Sequence, residues 1–198
     1  MSTDQVQAFL VFATIAAITP GPSNVMLTAT GANVGVLRGL PCLLGVDAGM
    51  GVMMSLVAFG LGAFVLDSPL VAGALRWCGA LFLLWLAWKI ASAGSSASPL
   101  GGRPIGFFEA AAFQWVNPKS WLVSASAAST YLEPGSGSAL LQALSLGGLF
   151  VAAALPSGFV WLAAGVGVQR LLRAPGRLRI FNVAMGAVLA ASVVWFVA

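Results

Sequence analysis

Apolar residues along this chain form long, nearly unbroken runs, separated by short clusters of Pro, Gly, Ser and charge. A helix that crosses a bilayer takes about 20 predominantly apolar residues. Six stretches qualify: Val6 to Ala32, Leu40 to Leu66, Leu70 to Ile90, Gly106 to Tyr131, Ser138 to Val168 and Leu178 to Ala198. Asp67-Ser68-Pro69 closes the second, and Glu133-Pro134-Gly135-Ser136-Gly137 closes the fourth. Pro156 interrupts the fifth, and the basic turn Gln169 to Gly176 leads to the sixth. Such clusters are turn formers. A Ser/Gly/Pro linker, 91–104, separates 1–90 from 105–198, each with three spans. Because three is odd, a repeat of one half in the other is inverted across the membrane. The expected fold is an all-α integral membrane protein, one transmembrane domain of six helices built as two inverted three-helix repeats around a cytoplasmic linker.

Composition agrees with this pattern. Of the 198 residues, 60% are hydrophobic and 7% charged, against about 25% charged in a soluble domain. The absence of histidine excludes His-dependent triads, His-ligated zinc and His-ligated haem, and two cysteines cannot build a four-thiolate site. No metal or cofactor is expected. The net charge of +4 does not point to nucleic acid, because the basic residues are scattered between apolar runs rather than gathered on one face. Seven of the nine instead fall on loops one, three and five: Arg38, Lys89, Arg103, Arg170, Arg173, Arg177 and Arg179. Asp4, Asp67 and Glu133 fall on the other side, with Arg76 just inside span three. The positive-inside rule makes the odd loops cytoplasmic and puts both termini on the outer side. Met1 to Gln5 lacks the basic stretch of a secretory signal, so the first span is read as retained. Trp88, Tyr131 and Trp195 sit where interfacial anchors belong.

Two spans carry interruptions at mid-depth. Pro20, in Thr19-Pro20-Gly21-Pro22-Ser23-Asn24, lies about 21 Å past Val6, and Pro118, in Asn117-Pro118-Lys119-Ser120, about 18 Å past Gly106. Proline removes a donor and frees the carbonyl four residues back: Ala16 for Pro20, Ile18 for Pro22, Gln114 for Pro118. Freed carbonyls in lipid are costly, so both breaks are expected to face protein or a water-filled cavity. Carbonyls suit an ammonium, and the free N–H groups of the half-helix starting near Pro22 suit a carboxylate. Together they match a zwitterion. Lys119 sits where insertion costs about 2.5–3.5 kcal/mol; it is read as a substrate or coupling residue, the alternative being a structural lysine on the broken-helix carbonyls. Gln114 and Asn117 share its helix neighbourhood. Asp47, the one acidic residue well inside a span, is expected to pair with Lys119, bind a substrate amine or carry a proton, the alternative being a carboxylate wetted from the cytoplasm. Glu109 reads as interfacial. The candidate binding set is Thr19, Pro20, Gly21, Pro22, Asn24, Asp47, Gln114, Asn117, Pro118 and Lys119. Gly31, Gly35, Gly39, Gly45 and Gly49 read as close-packing positions between helices or, alternatively, between the copies of a homodimer. Cys42 and Cys78 lie near opposite faces, so no disulfide is expected.

These motifs resemble the LysE/RhtB-type amino-acid exporters. The resemblance covers essentially the whole chain and rests on Thr19-Pro20-Gly21-Pro22 with Asn24, on Phe113-Gln114-Trp115-Val116-Asn117-Pro118-Lys119, and on Gly79 to Lys89 in span three. The wording of spans three and four is most similar to the cysteine and O-acetylserine exporters. The resemblance implies an inner-membrane efflux protein for amino acids or related metabolites, with Pro20, Gly21, Pro22, Asn117, Pro118 and Lys119 at signature positions. Asp47 departs from the uncharged stretch expected there.

The expected function is a secondary transporter that exports a small zwitterionic, amino-acid-like substrate, surrounded by lipid and coupled to a proton, an ion or the membrane potential, since no Walker A motif is present. The alternative is a small ion or metal-ion exporter or channel, which would call for rings of carboxylates or thiols. An enzyme is not expected. Its best pair, Ser120 and Lys119, would point about 100° apart on a helix.

Overall fold

The computed structural model describes residues 1–62, 65, 68–92, 104–133, 135, 137–171 and 175–197. The expectations for Asp67, Arg103, Arg173 and most of the linker fall outside these residues, as do those for the side chains of Arg76 and Trp195. The described chain is helical: α1 (Thr3–Ile18), α2 (Pro22–Leu56) running into a π-helical turn (Val57–Leu61), α3 (Pro69–Ser92), α4 (Phe107–Val116), α5 (Pro118–Tyr131), α6 (Ala139–Leu171) and α7 (Pro175–Val197). Among the described residues, three segments are long and apolar enough to cross a membrane: Pro22–Leu61, Ala139–Arg170 and Gly176–Val194.

Local chemistry sets the ends. Ser2 and Gln5 form a capping box that starts α1, the Ser2 side chain accepting from Gln5 N at 3.3 Å and Gln5 Oε1 from Ser2 N at 2.8 Å. The α1 helix stops at Thr19, held extended at φ −62°, ψ 128°, because a following proline disfavours helical geometry in the residue before it. Asn117 before Pro118 is extended for the same reason, at φ −87°, ψ 112°.

One assigned helix, α2, is two arms. Gly35 adopts φ 79°, ψ 177°, a conformation open essentially to glycine alone. The chain folds back there. Thr30 Oγ1 donates to Cys42 Sγ at 3.7 Å, although twelve residues of straight helix would span about 18 Å. Gly35 was expected to serve close packing. It serves the bend, and a Cβ there would meet nothing within 4 Å. The other glycines do pack. A Cβ at Gly31 would lie 2.0 Å from Leu162 O, at Gly45 2.2 Å from Phe107 O, and at Gly49 2.7 Å from Ala111 Cα, while at Gly39 it would meet the Leu162 side chain at 2.6 Å. Gly147 and Gly165 complete the seam from α6, against Ser55 and Gly51 and against Thr28 and Ala32. Pro156 does not interrupt the fifth run: α6 is continuous through it. The seam packs α6 on both sides of the proline, at Gly147 and at Gly165.

The distribution of polarity is inside out. Asn24, Asp47, Gln114, Asn117, Ser120 and Asn182 are buried, while Leu37, Phe108 and Ile180 are 82%, 83% and 71% exposed. An apolar rind over a polar interior fits a lipid solvent. One core gathers Met26, Leu43, Leu83, Phe113, Leu162 and Leu189. The other gathers Phe9, Met50, Met54, Leu146 and Phe150.

Candidate functional site

The two interruptions meet. Lys119, in the first turn of α5, reaches across and donates from Nζ to the carbonyl of Thr19 at the end of α1. Asn24 supports the same carbonyl, its Nδ2 donating to Thr19 O at 2.8 Å and to Ala17 O at 3.1 Å. The carbonyls capped at this break are thus Ala17 and Thr19 rather than Ala16 and Ile18. At the second break Asn117 N donates to Gln114 O at 3.3 Å, and Asn117 Oδ1 accepts from Lys119 N at 3.1 Å. Asn117 therefore ends one half-helix and caps the next.

A polar bridge ties the breaks together. Asn117 Nδ2 donates to Ser23 Oγ at 3.0 Å, Ser23 Oγ to Gln114 Oε1 at 3.2 Å, and Ser120 Oγ to the same Gln114 oxygen at 2.8 Å. Gly21 is extended, at φ −173°, so its backbone does not require glycine. Space favours it: a Cβ there would lie 2.8 Å from Lys119 Cδ, and the lysine side chain would have to shift. The broken helices run antiparallel. The start of α1 meets the end of α5, where the Tyr131 hydroxyl donates to Ala8 O at 3.4 Å, Phe9 packs edge-on to Tyr131 at 5.1 Å, and Gln5 Nε2 donates to Glu133. Tyr131, expected as an interfacial anchor, also takes part in this contact.

Between the breaks lies a cavity of about 60 Å³, room for about four waters at about 15 Å³ each. One wall carries Gly21, Ser23, Asn24, Gln114, Asn117, Lys119 and Ser120. Ala16, Ala17, Leu27, Val46, Met50, Val123, Phe150, Ala154 and Gly158 make the rest apolar, except for Asp47. Of the ten expected residues, six line this space: Gly21, Asn24, Asp47, Gln114, Asn117 and Lys119. Thr19, Pro20, Pro22 and Pro118 shape the breaks behind it. Asp47 does not form the expected ion pair with Lys119. It is 4% exposed, and its Oδ2 has no hydrogen-bond partner. Among the described residues the ion pair is Lys89 with Glu109, at 2.8 Å between α3 and α4, with Lys89 Nζ also 4.9 Å from the Trp85 ring centroid. Glu109 thus ties two elements, beyond the interfacial role expected of it. Ser120 and Lys119 face different acceptors, Gln114 and Thr19, and form no dyad.

Sequence reasoning missed Ser23 and Ser120 as lining residues and the whole α6 wall. Ser23 stood inside the Pro-Gly-Pro motif. The recurrence of Phe150, Ala154 and Gly158 every four residues marks one helix face, a signal that was available.

The family model described as LysE type translocator matches residues 14–197. The chain is 33% identical over 181 residues to the cysteine/O-acetylserine efflux proteins of Escherichia coli K12 and Shigella sonnei, covering 89% of this chain and 90% of each relative. It is 34% identical over 174 residues to that of Shigella flexneri serotype 5b. No solved structure matches the chain. With the match running nearly end to end and covering both helix breaks, the chain belongs to the LysE-type translocator family.

Proposed function

We propose that this chain is a secondary transporter that exports small zwitterionic amino acids or related metabolites across the bacterial inner membrane, with cysteine and O-acetylserine as the first cargo to test. The observation that carries this reading is the single cavity where both helix breaks meet, lined by one buried carboxylate and one ammonium. α1 with the outgoing arm of α2 makes the first crossing, and α4 with α5 makes the fourth. The other arm of α2, α3, α6 and α7 supply the remaining four, as inverted repeats. Cargo release follows from rocking one half against the other around the breaks, driven by a proton or ion gradient or by membrane potential. The end carrying Arg38, Lys89, Arg170, Arg177 and Arg179 faces the cytoplasm, and the end carrying Asp4 and Glu133 faces out.

Purified protein in liposomes preloaded with labelled cysteine or O-acetylserine tests it. Release on imposing a gradient, faster than from protein-free liposomes, is the expected result. Equal release across a broad amino-acid panel would contradict the proposal.

A further inference from the structure

Resting on that reading, we infer that Asp47 is the docking point for the cargo's ammonium group, so that cargo lies in the cavity with its amine toward Asp47 and its carboxylate toward Lys119 and the first turn of α2. Asp47 is nine-tenths buried, lines the cavity, and leaves Oδ2 without a partner in the protein. Its surroundings do nothing to neutralise it. Leu27, Val46 and Met50 line the cavity beside it. Gly158 packs beside it: a Cβ there would press on Leu43 Cδ1 at 2.5 Å and reach ordinary contact with Asp47 Oδ1 at 3.9 Å. A buried carboxylate without a counter-ion is strongly disfavoured. A primary ammonium, a small cation with three N–H donors, answers both the charge and the open lone pairs.

The opposite wall has the opposite character. Lys119 gives one of its three donors to Thr19 O, which leaves donors for a second acceptor. Gly21 gives α2 no side-chain cap, so first-turn N–H groups and the helix dipole favour a carboxylate there. The presence of both groups in one cavity, not either alone, selects a molecule with both charges. A free α-amine becomes a condition of transport.

O-acetylserine and N-acetylserine make the test sharp, because they are isomers that differ in whether the amine is free. Each is used to compete with labelled cysteine in counterflow into proteoliposomes, in acidic buffer that keeps the acetyl group on oxygen. Wild-type protein is expected to prefer the free amine by about a hundredfold, since sites built to bind a polar group reject analogues without it strongly. Asp47→Asn is expected to compress that preference to about tenfold or less. Equal competition by the two isomers, or undiminished discrimination in Asp47→Asn, would overturn the assignment. If Asp47→Asn fails to assemble, equal competition in the wild type still overturns the assignment. Failure of the wild type to carry cysteine at all would count against the export reading instead, which keeps the two outcomes apart.

Discussion

Lys119 and Gly21 act as one unit. The lysine is held because Thr19 O accepts from it, and Gly21 leaves it room to pass. Gly21→Ala places a Cβ against Lys119 Cδ and should lower transport about tenfold, the equivalent of about 1.4 kcal/mol, with protein levels in the membrane maintained. Lys119→Met removes the charge and the hydrogen bond and should cost about a hundredfold, within the range for hydrogen bonds to charged groups. Initial export rates normalised to protein amount check both. Single residues of this kind were partly legible in advance. The helix breaks follow from proline and its effect on the preceding residue, a local rule, so Thr19 and Asn117 could be placed from sequence. The partners could not. Lys119 meets a carbonyl one hundred residues away and Asp47 meets none, and both outcomes depend on how the helices dock.

At the level of elements, small residues set how closely helices approach. Gly147 and Gly148 are neighbours with opposite environments. A Cβ at Gly147 would sit 2.1 Å from Ser55 Oγ and 2.5 Å from Gly51 O, whereas at Gly148 it would meet nothing within 4 Å. Gly147→Ala should destabilise the fold by about 1–3 kcal/mol through overpacking. Gly148→Ala should stay within about 0.5 kcal/mol of the wild type. Thermal unfolding in detergent compares them. The glycine spacing announced a packing seam, but not which glycine would bend the chain: Gly35 follows the same period as Gly31 and Gly39, and only its positive φ sets it apart. Pro156 shows the converse. Its residue type predicted an interruption, and the docking of α6 on α2 overrides it.

For the molecule as a whole, hydropathy pointed to an all-helical membrane protein, and the described residues are helical with three segments long and apolar enough to cross a membrane; the six-span order belongs to the proposal, which divides α2 at Gly35 and counts each broken helix as one. The cavity itself could not be read from hydropathy, because its apolar wall looks like any other buried helix face. Contacts at both ends join elements from different halves: Gln5 with Glu133 at one, Lys89 with Glu109 at the other. If the halves rock, fixing one end must stop the cycle. Gln5→Cys combined with Glu133→Cys, in a background free of Cys42 and Cys78, should lose export on treatment with a reducible bifunctional thiol cross-linker and regain it on reduction. Undiminished export after complete cross-linking would argue against rocking.

The central claim is that cargo occupies the space between the two breaks, and protection of a cysteine placed in its wall tests this most directly. Val123→Cys lines the cavity, and its alkylation rate can be followed in the same cysteine-free background. Saturating O-acetylserine is expected to slow that alkylation about tenfold, while leaving a cysteine at the lipid-facing position Leu122→Cys unaffected. Identical rates at position 123 with and without cargo, in protein that still transports it, would contradict the account.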